Sequence, residues 1–147
     1  MQNWRFKKGR IFLLRLPRGS DLLQELQDFI TEKDIQCGEL YGIGALNVAH
    51  FGFYDHESRT YKDNVVNETV EIASLVGNIS QRDQKNFVHA HILVTDKTGA
   101  AFGGHLMPGC KVFACEVTLK EFDGDSPQRM LDSETGLFLW QDGERRE

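Results

Sequence analysis

Over most of this chain apolar and polar side chains alternate, the period-two pattern of strands with one buried face. One segment breaks the alternation. Leu22, Leu26, Phe29 and Ile30 fall at i, i+4, i+7 and i+8, so they line one stripe of a helix. The pattern predicts that helix over residues 21–33, with Ser20 or Asp21 as its cap and Gln24 placed as in a capping box. Strands are predicted at residues 10–16, 61–66 and 69–77, with 110–122 the longest and 136–140 closing the sheet. Residues 38–45 and 48–54 flank Leu46 and Asn47 and read as a hairpin. Two polar stretches read as loops: residues 80–86, and residues 123–134, which contain Pro127. One helix among many short strands, without βαβ alternation, predicts an α+β fold. Its core is a mostly antiparallel β-sheet with one main helix packed on it.

Chemistry concentrates in residues 88–105. Val88, Ala90, Ile92 and Val94 alternate with His89, His91, Leu93 and Thr95, so the first four face a core and the histidines face away from it. The chain then turns back. A loop of Lys97, Thr98 and Gly99 gives Gly99 the left-handed conformation that a three-residue hairpin loop needs. In that register Asp96 pairs with Ala100, Val94 with Phe102, Ile92 with Gly104 and Ala90 with Leu106, which keeps the apolar residues together. His105 then lies directly opposite His91, with His89 one same-face step away. A four-residue loop would turn His105 to the other face and scatter the apolar pairs.

His89, His91 and His105 are therefore the candidate metal ligands. Three neutral imidazoles with a free fourth position are the ligand set of an open zinc site. Ala101 and Gly103 share the face and are small enough to leave room beside it. His50 and His56 lie outside the hairpin and are read as non-ligands.

Composition narrows the function classes. The 147 residues suit a single domain, with 9–140 as the folded core and 1–8 and 142–147 as flexible ends. The net charge of −5 argues against a broad nucleic-acid surface, which needs clustered cations to release counterions. Lys7, Lys8 and Arg10 form the one basic run and are the candidate DNA contacts. Cys37, Cys110 and Cys115 are an odd set without CxxC spacing, which points to reduced thiols and a cytoplasmic location. No apolar run suits a signal peptide or a membrane span. Glu71 and Glu116 each interrupt an apolar strand and are the candidate catalytic carboxylates. Gly42-Ile43-Gly44 lacks the third glycine and the following helix of a dinucleotide fingerprint.

From about residue 9 to 140 the sequence resembles the PPC domain family, the plants and prokaryotes conserved domain. The resemblance rests on Val70-Glu71-Ile72-Ala73-Ser74-Leu75-Val76-Gly77-Asn78-Ile79-Ser80, His89-Ala90-His91-Ile92, Gly103-Gly104-His105-Leu106 and Asp132-Ser133-Glu134-Thr135-Gly136-Leu137. It implies a sheet domain that assembles as a homotrimer and holds Zn2+ through His89, His91 and His105. In plants the domain accompanies AT-hook motifs in transcriptional regulators, which implies a DNA-binding or regulatory alternative. This chain has no AT-hook. Its Glu68-Thr69-Val70-Glu71-Ile72-Ala73 also lacks the arginine of the plant partner-contact segment. The expected function is a cytosolic homotrimer with a three-histidine zinc site. The alternatives are a DNA-binding module and a metal-dependent hydrolase or lyase.

Overall fold

The computed structural model describes residues 2–141, so the 142–147 segment read as a flexible end lies outside the described residues. The elements run β1 (Lys7–Leu16), α1 (Leu22–Glu32), β2 (Gly38–Asp55), β3 (Thr60–Val66) and β4 (Val70–Arg82). They continue with β5 (Lys85–Thr95), β6 (Ala101–Leu106), β7 (Lys111–Asp123), β8 (Gln128–Leu131) and β9 (Phe138–Gln141). The strands form one sheet in the order β1-β7-β2-β6-β5-β4-β8-β9, with β3 attached to β2. Because β2 also pairs with β4, the sheet curls back on itself. Only the β4–β8 pairing is parallel among the described residues.

The helix forms where the apolar stripe places it. Leu22, Leu26 and Ile30 are fully buried, and Phe29 packs against the same core. Asp21 is the cap, accepting the Gln24 amide at 3.1 Å. Its other oxygen accepts the Gly109 amide at 2.5 Å, which ties the start of the helix to the loop before β7. Gln24 does not close a capping box; its side chain turns forward and donates to Asp28 at 2.7 Å. Gln27 fixes the helix on β5, accepting from the Val88 amide at 3.2 Å and donating to the Asn86 carbonyl at 2.7 Å.

Several boundaries differ from the expectation. The hairpin at Leu46 and Asn47 does not form, because β2 is one strand of 18 residues. Its ladders shift register between Gly42 and Gly44, Ala45 and Leu46, and Leu46 and Val48. A bulge bends a strand without ending it. The bend hands the first part of β2 to β7 and β4 and the last part to β3 and β6. The polar residues 80–86 are the tip of a hairpin. Asp83 and Gln84 both have positive φ, 52° and 61°, the geometry of a two-residue primed turn.

The stretch 123–134 contains β8. Pro127 precedes it, where no ladder donor is needed, and offers its carbonyl to the Gln81 amide at 3.1 Å. At the other end β1 begins at Lys7, ahead of the expected strand. Trp4 sits edge-on to Trp140 and Phe6 stacks on Phe122, with centroids 5.7 and 5.6 Å apart.

The β5–β6 hairpin has the predicted register: His91 opposes His105, Ile92 Gly104, Leu93 Gly103, Val94 Phe102 and Thr95 Ala101. The Asp96 amide donates to the Ala100 carbonyl at 3.1 Å, and Gly99 has φ 83°. The Asp96 carboxylate closes the loop, accepting from the Thr98 amide and hydroxyl at 2.8 and 2.6 Å. Gly103 has a different reason to be glycine than the spare room expected of it. A Cβ there would lie 2.0 Å from the Ile92 carbonyl oxygen, so the strands cross too closely for any side chain.

The two glycines should respond differently to alanine. At Gly99 a Cβ meets nothing within 4 Å, leaving only the left-handed backbone penalty, about 1 kcal/mol. Gly103→Ala must push backbone apart and should cost about 3 kcal/mol. Thermal unfolding of the two variants checks this, and equal losses of Tm would contradict the close crossing.

Candidate metal centre

One row of directly opposed residues crosses the outer face of the sheet. It runs Leu13, Thr118, Tyr41, Val76, His91, His105, Gly52 and Asp63, from β1 through β7, β2, β4, β5 and β6 to the far end of β2 and β3. Facing residues in a ladder share a side of the sheet. The row therefore places two histidines side by side, and His89 joins them two residues along β5. On the opposite side Val88, Ala90, Ile92, Val94 and Leu106 are buried in the core.

The three imidazoles converge. One ligand nitrogen from each of His89, His91 and His105 can be chosen so that all lie within 4.8 Å of one another. Ring centroids are 5.4 Å apart for His89–His91, 5.1 Å for His89–His105 and 5.6 Å for His91–His105. Tetrahedral ligation at Zn–N distances of 2.0–2.1 Å needs nitrogens about 3.3 Å apart, which modest side-chain rotation supplies. The Tyr61 ring lies 4.9 Å from that of His105.

Two observations say what the cluster suits. The Nδ1 of His105 is buried and has no hydrogen-bond partner among the described residues. A buried polar atom left unpaired costs about 1–3 kcal/mol, and an ion accepting its lone pair would remove that penalty. His89 and His105 are also held neutral, the form that ligates. Burial pushes the pKa of His89 down from 6.5 to about 4, helped by the Arg129 charge and the other two histidines. Burial likewise takes His105 from 6.5 to about 4, with His91 and Arg129 adding to it. The residues present fit a divalent ion bound through nitrogen.

Arg129 is the neighbour that sequence reasoning missed. It stands on β8, inside the stretch read as a loop, and reaches the cluster because β8 lies along β4. The side chain is buried at 8% exposure. Its Nε donates to Ser80 Oγ at 2.8 Å, Nη1 to the Phe138 carbonyl at 3.0 Å and Nη2 to Asn78 Oδ1 at 2.8 Å. Nη2 also lies 3.2 Å from Nδ1 of His89. A guanidinium only donates, so that nitrogen carries the His89 lone pair. No spacing in the sequence links Arg129 to the histidines.

The other candidates lie apart. Glu71 faces Thr95 on β5, four residues and therefore about 13 Å along the strand from His91. Glu116 sits between Ile43 and Arg15, on the β7 side of β2. Neither joins the three histidines. Arg10 is held by Glu121, with Nε–Oε2 at 2.6 Å and Nη2–Oε1 at 2.7 Å, and donates to the Lys33 carbonyl at 2.8 Å. Lys7 faces Asp123 and Lys8 faces Phe122 across β7. The basic run is thus partly neutralised in place. His50 is outside the cluster, with Nδ1 on the Pro108 carbonyl at 2.5 Å.

The depressed histidines give the metal-free protein an acid-sensitive window. Unfolded histidines take protons near 6.5, while folded His89 and His105 stay neutral down to about 4. Between those values the unfolded chain binds more protons, so stability falls as pH drops from 6.5 toward 4 and these groups remove no more below it. Urea unfolding across that range should show the slope, flattened in a His89→Gln/His105→Gln protein. An unchanged slope in the double variant would refute the assignment.

Comparison with known proteins places this chain in a family. A metal-containing protein of Archaeoglobus fulgidus is 42% identical and superposes with a TM-score of 0.92, covering 97% of this chain and 100% of its own. A plant- and prokaryote-conserved (PPC) protein of Pyrococcus horikoshii is 34% identical with a TM-score of 0.90, over 98% and 99% of the two chains. A Bacteroides thetaiotaomicron protein described as a DNA-binding candidate is 25% identical with a TM-score of 0.83, over 92% and 96%. Among curated proteins, the bifunctional protein GlmU of a Synechococcus strain is 33% identical over 131 residues, 88% of this chain. The chain spans about 20% of the length of that relative. The description of the Plants and Prokaryotes Conserved (PCC) domain matches residues 5–123, and the chain belongs to that family.

Proposed function

We propose that this protein is a cytoplasmic homotrimer in which His89, His91 and His105 of each chain hold a zinc ion with one open position. The observation that carries the reading is the convergence of three imidazoles, two of them held neutral by burial and one with an unpartnered buried nitrogen. The metal-containing relative at 42% identity supports it. Zinc is chosen because imidazole nitrogens without a carboxylate or thiolate suit a borderline ion, and zinc accepts three histidines readily. When bound, the ion supplies a Lewis acid at its open position.

The chain's own residues divide the remaining work. β5 and β6 hold the ligands in register, and Arg129 and Asn78 anchor the region behind His89. Tyr61 covers one side of His105. Among the described residues no carboxylate stands with the histidines as a general base, so the hydrolase or lyase alternative has less support than a binding role.

Trimer formation is supported by the outer face. Leu13, Tyr41, Ile43 and Val76 are 82%, 46%, 61% and 58% exposed on neighbouring strands, an apolar surface that a second copy would cover. Three buried free thiols suit a reducing compartment. No helix among the described residues is long and apolar enough to cross a membrane. A DNA-binding role draws on the description of the Bacteroides thetaiotaomicron neighbour but finds Arg10 already neutralised by Glu121.

Two measurements test the proposal. Elemental analysis of purified protein supplied with zinc should give one ion per chain, and His91→Ala should weaken binding by ~100-fold or more, exceeding typical outer-shell effects. Protein that stays metal-free in excess zinc would end the metal reading. Sedimentation should give three times the 16.8 kDa chain mass, with Leu13→Glu shifting it toward monomer. A monomeric parent protein would end the trimer reading.

A further inference from the structure

We propose that the open position of the three-histidine site takes a small organic carboxylate, and that Arg129 is the residue that selects for it. This rests on the metal reading given above. All four hydrogen-bond partners of the buried Arg129 side chain are neutral: Ser80 Oγ, the Phe138 carbonyl, Asn78 Oδ1 and His89 Nδ1. Among the described residues no carboxylate forms an ion pair with it. A buried charge is normally matched by an opposite one, because desolvation is otherwise uncompensated. Here the match is missing beside a candidate site for a ligand.

Metal loading sharpens the mismatch. A neutral imidazole has one in-plane lone pair, and His89 gives it, at Nδ1, to Arg129. Holding an ion uses a lone pair on one nitrogen and leaves an N–H on the other. Whichever nitrogen is used, His89 then ceases to accept from Arg129. A guanidinium N–H is released next to the cluster, and the site now carries the ion's charge as well as the arginine's. An anion reaching both the open position and the freed N–H satisfies the donor and offsets the charge.

The surroundings favour a carboxylate. The Arg129 Cζ lies 5.4 Å from the centroid of the Trp140 ring and 5.8 Å from that of Phe87. Aromatic neighbours on this scale engage a guanidinium through its charge and leave its N–H groups to donate in plane, so a planar carboxylate can set one oxygen at the open position and the other on the freed N–H. Trp140 and Tyr61 also offer apolar surface to the organic part of such a ligand.

Cobalt(II) provides the probe, since its visible absorption reports changes in coordination. The protein is first loaded with Co2+ alone and uptake is measured. Acetate is then titrated in, with inorganic phosphate and chloride in parallel. Acetate should change the spectrum saturably and at lower concentration than either comparison anion. In protein saturated with Co2+, Arg129→Met should weaken acetate about tenfold or more, the effect of losing a charge-assisted hydrogen bond. Arg129→Lys, which keeps the charge and loses the planar fork, should fall between the two, and circular dichroism identifies any variant that fails to fold. Co2+ uptake without a response to acetate, tighter phosphate binding, or parental acetate affinity in a folded Arg129 variant each overturns the carboxylate assignment alone. Failure of the parent to take up Co2+ overturns the metal reading beneath it.

Discussion

The pairing of β5 with β6 is the constraint on which the site depends. A strand presents alternate residues to opposite sides, so the register of one ladder decides whether His105 meets His91 or is buried behind it. Two features hold that register. Asp96 closes a loop that ends in left-handed Gly99, and Gly103 lets the two backbones approach more closely than any side chain allows. The apolar partners on the other face make the same choice independently. Val94 against Phe102 and Ile92 against Gly104 keep the buried side filled.

That short-range pairing becomes a site only because distant segments close around it. The bends in β2 let a single strand contact β4 near its start and β6 near its end, which curls the sheet. The row through Tyr41, Val76, His91 and His105 then connects the exposed apolar face to the imidazoles. On the far flank β8 runs alongside the end of β4 and delivers a buried guanidinium to His89. The cluster is thus bordered by an apolar surface on one side and an uncompensated cation on the other.

What could be read from the sequence follows from range. The helix and the histidine hairpin were legible because each is decided within about a dozen residues. A stripe at i, i+4, i+7 and i+8 fixes the first, and loop length plus parity fixes the second. The continuity of β2 was hidden because a bulge interrupts alternation much as a turn does. The Asp83–Gln84 turn was hidden because it lacks the glycine that usually marks positive φ. Arg129 was the least accessible. Its importance comes from β8 pairing with β4, 47 residues away at Gln128 and Gln81, and four residues after a proline carry little pattern of their own. The family resemblance implied the same ligand set as the hairpin register and did not point to this neighbour.

The tight crossing at Gly103 also separates two parts of the hairpin that look continuous. With the histidines locked by backbone contact at Ile92 and Gly103, the exposed loop at Lys97 and Thr98 carries none of their positioning beyond the closing Asp96. The side chains at the tip can therefore change between homologues without disturbing the imidazoles, provided that the loop keeps its three residues. Strand β6 has no such latitude. A single residue gained or lost between Ala101 and His105 would reverse the parity of everything after it.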